Sequence, residues 1–272
     1  MQNVEPPPFV WPERLFVRLS GQGLCFARYD RENESGLLLS TWPARRQTSL
    51  ADSIVEAFQD DSVAQGPTRN VEVLVGGAVT PIPLTDFQEE DCETYFNYCF
   101  PETDTKRRVF YDVIASANVV LLFALDETTC RALEKKFSDV HYSSTLTSVV
   151  RHFAQKSDRD KETTRIYAYC HETECDIAAF EGKRLLMLNE YEAHSATDVA
   201  YYVLNVAQTL GQDVQDTPLH IAGPTDWRNA AGKELEKYAA NVRYLNPVAE
   251  FQRHPVALKK DMPYDLMTLL ID

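Results

Sequence analysis

Apolar and polar positions along the chain mark out two similar sets of elements. The first clear run is Leu15-Phe-Val-Arg-Leu-Ser20, and Leu24-Cys-Phe-Ala-Arg-Tyr29 follows across Gly21-Gln-Gly23. Two strand-like runs around a short glycine turn predict a hairpin. Leu37–Thr41 predicts a third strand. Ser49, with Asp52 three positions on, predicts a capped helix start, and Leu50, Ile54, Val55 and Phe58 fall on its apolar face. The run Val71–Val75 predicts a buried strand that closes the unit.

The same order returns further along. Arg165–Cys170 and Cys175–Phe180 predict a second hairpin, Arg184–Leu188 its third strand, and Ser195 with Asp198 a second capped helix. Val199, Tyr202, Val203, Val206 and Leu210 form that helix's stripe, and Leu219–Gly223 closes the unit. Equivalent elements start 146 to 151 residues apart. Five elements in one order at a near-constant offset predict an internal duplication of a β-β-β-α-β unit.

Between the units, residues 89–100 read as a helix carrying Cys92, Tyr95, Phe96 and Cys99. Residues 108–115 and 119–125 read as a strand pair turning at Ser116-Ala-Asn118. Asp126 caps a helix with Cys130, Leu133 and Phe137 inward, and Ser143 or Ser144 caps another with Leu146, Val149, Val150 and Phe153 inward. A helix is expected over 228–241, a short strand over 242–245, and then a proline-punctuated tail. The charged stretch Gln155–Glu162 is the expected boundary. It divides the chain into an N-terminal extension (1–14), a first subdomain (15–157) and a second (158–272).

Composition narrows the function classes. A chain of 272 residues with 44% hydrophobic and 25% charged residues suits two modest globular domains. Its 27 basic and 41 acidic side chains leave a net charge of −14, which repels nucleic acid and anionic membranes, so neither is expected as a partner. Met1–Arg14 has neither the basic nor the apolar region of a signal peptide. The longest clean apolar run is Val119–Leu125, far short of the roughly 20 residues of a membrane span, so no membrane insertion and a cytoplasmic location are expected. Cys25, Cys92, Cys99, Cys130, Cys170 and Cys175 then act first as small hydrophobes. Cys170-His171 and Cys175 lack the second ligand pair of a zinc site, so no metal is expected. Asp139, His141, Ser143 and Ser144 hold the residue types of a nucleophilic triad without a Gly-x-Ser-x-Gly elbow, and the serines read better as helix caps. His194 reads as a residue before a cap, His220 as a half-buried strand residue, and Asp60-Asp61 and Glu89-Glu90 as solvated helix ends. No catalytic residue is assigned.

Three antiparallel strands, a helix and a parallel strand, used twice, is the plan of the actin-like ATPase (ribonuclease-H-like) superfamily. With its Leu15–Ser20 opening and this order from Leu15 to Leu245, the chain resembles an uncharacterised bacterial family of about 270 residues with that fold and no assigned function. The resemblance implies an α/β protein of two ribonuclease-H-like subdomains, each a mixed sheet, facing across a cleft. Nucleotide-binding members carry an Asp at the end of the first strand to handle the metal, then glycines whose N–H groups reach phosphate. Here the matching position is Arg18, ahead of Ser20, Gly21 and Gly23. Arg18 reads as an exposed residue on the strand's polar face, or as a direct phosphate partner. In the second phosphate turn the acid position becomes Tyr169, and the glycine positions become His171, Glu172 and Thr173. Glu172 and Glu174 would stand where a γ-phosphate lies and would repel it. The adenosine strand keeps only Gly223, followed by Pro224.

The cleft candidates for ligand binding are therefore Arg18, Ser20, Gly21, Gly23, His171, Glu172, Thr173 and Gly223, with Arg18 expected to compensate Glu172 and Glu174 across the cleft. These departures predict a non-catalytic protein with degenerate nucleotide motifs and no cofactor. By analogy of fold it serves as a scaffold or interaction module for an unidentified protein partner. The alternative is a divergent ATP- or sugar-binding enzyme that uses the cleft.

Overall fold

In the computed structural model, which describes residues 14–29, 36–66, 68, 70–101, 105–158 and 163–271, the two sets of elements form two five-stranded mixed sheets. The expected N-terminal extension, apart from Arg14, and residues 159–162 of the expected boundary stretch lie outside the described residues. Strands β1 (Arg14–Ser20), β2 (Gly23–Tyr29) and β3 (Leu37–Pro43) lead into helices α1 (Leu50–Asp60) and α2 (Ser62–Gln65) and then β4 (Asn70–Val75). An insertion follows with β5 (Val79–Pro83), α3 (Cys92–Cys99), β6 (Arg107–Ile114) and β7 (Val119–Asp126). Helix α4 (Glu127–Lys136), β8 (Val140–Ser144) and α5 (Thr145–Ser157) end the first half. The second half runs β9 (Thr164–His171), β10 (Glu174–Glu181), β11 (Arg184–Glu192), α6 (Ala196–Thr209), β12 (Leu219–Ala222), α7 (Thr225–Leu235) and β13 (Val242–Tyr244). It closes with α8 (Pro247–Glu250) and α9 (Tyr264–Ile271).

The strand orders are β3-β2-β1-β4-β8 and β11-β10-β9-β12-β13, and β5-β7-β6 forms a separate three-stranded sheet. In each large sheet the first three strands pair antiparallel and the last two join parallel. The predicted caps hold: Ser49 accepts from the Asp52 N–H, Asp126 from Thr129, Ser144 from Leu146 and Ser195 from Asp198.

Side-chain alternation assigns the faces. Leu15, Val17 and Leu19 pack outward with Ile54, Ala57 and Phe58 of α1 and Cys130 and Leu133 of α4. Ile166, Ala168 and Cys170 do the same with Val199 and Val203 of α6 and Leu235 of α7. Phe16, Tyr167 and Tyr169 turn the other way, into one core that both halves share with α5 and α9. There Phe153 of α5 stacks on Tyr167, with ring centroids 4.4 Å apart, and lies 6.2 Å from Tyr264 of α9.

Several expectations need correction. Val55 is 47% exposed, because the helical turn places Ala57 on the buried face beside Ile54 and Phe58. Asp61 is not a solvated helix end: it is buried, accepts from the Val63 and Ala64 N–H groups as the cap of α2, and accepts from Trp42 Nε1 at 2.8 Å. Helix α7 starts at Thr225 instead of Arg228, because Pro224 already holds φ −54° at the cap. It stops at Leu235, the last buried residue on its inner face. Ser143 lies in β8, and β5 and β8 add strands whose short runs carry little periodic signal. The tail folds into α9, which the sequence pattern left unassigned.

Because Phe153 joins the two halves through one core, Phe153→Ala is expected to lower global stability by about 3–5 kcal/mol in chemical denaturation.

Candidate functional site

The alternation that sends Phe16 inward also sends Arg18 into the layer between the sheets, where it is only 8% exposed. The expected exposed position is corrected for that reason. A guanidinium so placed needs a counter-charge. Fully buried Asp265 on α9 supplies it: Arg18 Nε donates to Oδ1 at 3.0 Å and to Oδ2 at 2.8 Å. Arg18 Nη1 donates to Glu172 Oε1 at 3.3 Å, and the Tyr169 hydroxyl donates to Asp265 Oδ2 at 3.2 Å. Helix α5 anchors the acid's backbone, since Ser148 Oγ donates to the Asp265 carbonyl at 3.0 Å. Burial works against the Arg18 charge, but Asp265, Tyr169 and Glu172 outweigh it and raise its pKa above the ordinary arginine value. Burial, reinforced by Asp265, holds the Tyr169 phenol protonated well above its usual range.

The turn between β9 and β10 meets the turn between β1 and β2. Glu172 keeps a left-handed backbone at φ 51°, a conformation that favours glycine. A Cβ on Gly21 would lie 3.6 Å from Glu172 Oε2, so the two turns face one another. The compensation expected of Arg18 reaches Glu172 but not Glu174, whose Oε2 lies 3.9 Å from His171 Nδ1. His171 Nε2 donates to Asp176 Oδ2 at 2.5 Å. Burial pulls the imidazole down, yet its bond to Asp176 prevails and its pKa is raised to about 9. Thr173 is exposed, and its carbonyl accepts from the Ala193 N–H at 2.9 Å.

A cleft of about 600 Å³ lies beside this network, lined by Arg18, Tyr169, His171, Glu172 and Gly223 and closed by residues of the C-terminal segment. Ser20 and Gly23 instead line a neighbouring hollow of about 260 Å³, together with Glu172. Gly223 has φ +118°, and a Cβ there would lie 2.1 Å from the Cys170 carbonyl oxygen. Close approach of two backbones therefore explains this glycine without any ligand.

The remaining candidates resolve into packing. The Cys170 and Cys175 sulfurs lie 3.9 Å apart and are buried. Among the described residues, no group of three or more His, Cys, Asp or Glu side chains is placed to hold a metal ion. Ser143 Oγ donates to Glu72 Oε1 at 3.3 Å, and His141 lies 3.7 Å from that same oxygen, so serine and histidine both face a carboxylate. His220 is buried and stacks on Tyr167 at 4.5 Å, and burial pulls its pKa to about 3. Asp265, the central acid, escaped the sequence reading. Its signal was a lone carboxylate inside the apolar run Tyr264–Ile271.

Two outcomes follow from this network. Asp265→Asn strips the counter-charge from a buried guanidinium and should cost about 3–5 kcal/mol in urea denaturation, whereas Arg18→Met combined with Asp265→Leu should recover most of that loss. The folded-state pKa of His171, about 9, lies above its ordinary 6.5. The His171–Asp176 pair therefore stabilises fully below pH 6.5, and that contribution fades as pH rises through about 9. Thermal melts across this window should show His171→Gln flattening the alkaline loss of stability.

Comparison with known proteins places the fold. The crystal structure of a Bacteroides thetaiotaomicron VPI-5482 protein with an actin-like ATPase fold and unknown function superposes with a TM-score of 0.78 at 24% identity, covering 94% of this chain and 95% of that one. A PilM–PilN type IV pilus biogenesis complex matches with a TM-score of 0.57 at 11% identity, covering 95% and 97%. Two ribonuclease-H-like subdomains in the actin-like arrangement account for both likenesses. No curated protein is similar in sequence. Among the described residues, no helix is long and apolar enough to cross a membrane. A family described as Protein of unknown function (DUF3822) matches residues 12–242, and over that span, most of its length, the chain belongs to this family.

Proposed function

We propose that this chain is a non-catalytic actin-like protein, two subdomains (15–157 and 158–272) descended from one duplicated unit, that acts in the cytoplasm as a scaffold or protein-interaction module. The engagement of Arg18 carries this reading. At the position where nucleotide-binding members of the superfamily hold an acid, the chain has a guanidinium whose charge Asp265 already balances. Glu172 then stands on the approach that a phosphate would take. An incoming phosphate would have to break the Arg18–Glu172 contact and would meet a second carboxylate behind it. The glycines do not favour the opposite view, because backbone packing accounts for Gly23 and Gly223. The PilM–PilN complex supports the interaction role, as a protein of this fold engaged with a protein partner.

Isothermal calorimetry with ATP and Mg²⁺ at millimolar nucleotide tests this reading. No saturable heat is expected. A nucleotide at 100 times its Kd would also add about 2.7 kcal/mol of stability, and melting is expected to show no such gain. Micromolar affinity that disappears in Arg18→Ala would overturn the reading and favour a divergent nucleotide-binding enzyme.

A further inference from the structure

The cleft holds a second buried guanidinium, and among the described residues no carboxylate touches this one. Arg228, in the first turns of α7, is 7% exposed and lines the same cleft as Arg18. Its Nη1 donates only to backbone carbonyls, those of Leu245 at 3.1 Å and Gly223 at 3.4 Å. Its Nε has no hydrogen-bond partner among the described residues. Glu250 is the carboxylate whose field reaches it, and Glu250 is already committed: His152 lies 2.9 Å and Lys156 2.6 Å from its Oε1, and the Tyr264 hydroxyl donates to its Oε2 at 3.0 Å. Asp226 and Asp261 also line the cleft, but both are exposed and neither pairs with Arg228.

The backbone beside Arg228 points to the same ligand chemistry. Helix α7 runs for 11 residues behind Pro224, which offers no side-chain cap. The N–H groups at the start of such a helix carry partial positive charge; the cap residue covers none of them, and the one acid of the first turn, Asp226, is exposed. A buried, uncompensated guanidinium and an uncapped helix start on one cleft wall are each costly alone, and a single anion satisfies both.

We propose that this wall binds a compact oxyanion, a carboxylate or a phosphate group, with Arg228 as counter-ion and the first N–H groups of α7 as donors. The inference goes beyond the scaffold reading and does not depend on it, because its ligand contacts neither Arg18 nor Glu172. If ATP binds through Arg18, the scaffold reading fails while this site stands. If simple oxyanions do not bind, only this site fails.

The test titrates the full chain with inorganic phosphate and, separately, with succinate, while following backbone amide resonances. Saturable shifts at Thr225, Asp226 and Trp227 with either probe support the site, and the active probe identifies which oxyanion it takes. Shifts that do not saturate by tens of millimolar with both probes overturn it. Arg228→Met is expected to abolish binding, because it removes the counter-ion. Unchanged binding in that variant overturns the proposal. Thr225→Pro removes one donor, and proline suits the first helical position, so this variant tests the site even if Arg228→Met fails to fold. It should bind about tenfold more weakly, and wild-type affinity would overturn the proposal.

Discussion

The ion pair between Arg18 and Asp265 is the constraint on which the arrangement of this protein depends. Strand β1 is central in its sheet, so each of its positions faces one packed layer or the other, and period-two alternation sends Arg18 into the layer between the sheets. A guanidinium there without a partner would cost stability. The partner carboxylate comes from the far end of the chain, which requires α9 to dock between the two halves. Tyr169 from the second sheet and Ser148 from α5 fix the same aspartate, so one residue ties both sheets to both inner helices. Phe153, Tyr167 and Tyr264 pack in the core that the two halves share with these helices.

The same contacts determine what the cleft offers. Actin-like folds that bind nucleotide need donors and a metal where the two turns meet. Here the meeting point holds one balanced cation and Glu172, whose side chain faces Gly21. Glu172 keeps a left-handed backbone, a conformation that favours glycine, while its side chain reaches Arg18. Electrostatics across the cleft are therefore uneven. Arg18 pairs with two carboxylates, whereas among the described residues Arg228 hydrogen-bonds to backbone carbonyls and to no carboxylate.

The packing explains why so few glycines suffice. Gly223 lets β12 pass the Cys170 carbonyl, and Gly23 clears the Trp42 carbonyl at the start of β2. Both lie at positive φ, where a side chain would be strained as well as crowded. Neither needs a bound ligand to account for it, so surviving glycines in a nucleotide-like motif are weak indicators of nucleotide when the local backbone already requires them.

The sequence by itself determined the two similar strand sets, the helix caps at Ser49, Asp126 and Ser195, a cap at Ser143 or Ser144, and most of the apolar stripes of α1 and α6. These rest on local periodicity and on side chains bonding their own backbone, and neighbours in sequence settle both. The expected contact of Arg18 with Glu172 across the cleft also forms. The sequence could not decide that Arg18 is buried, since alternation assigns a residue to a face without saying what covers that face. The cover is α9, a short helix after several prolines with a single acid, and only its docking makes Asp265 the partner of a residue 247 positions away. Arg228 follows the same rule: the sequence reads it as the start of a helix, and only the fold closes α7, Leu245 and the C-terminal segment around it, with no carboxylate bonded to it among the described residues.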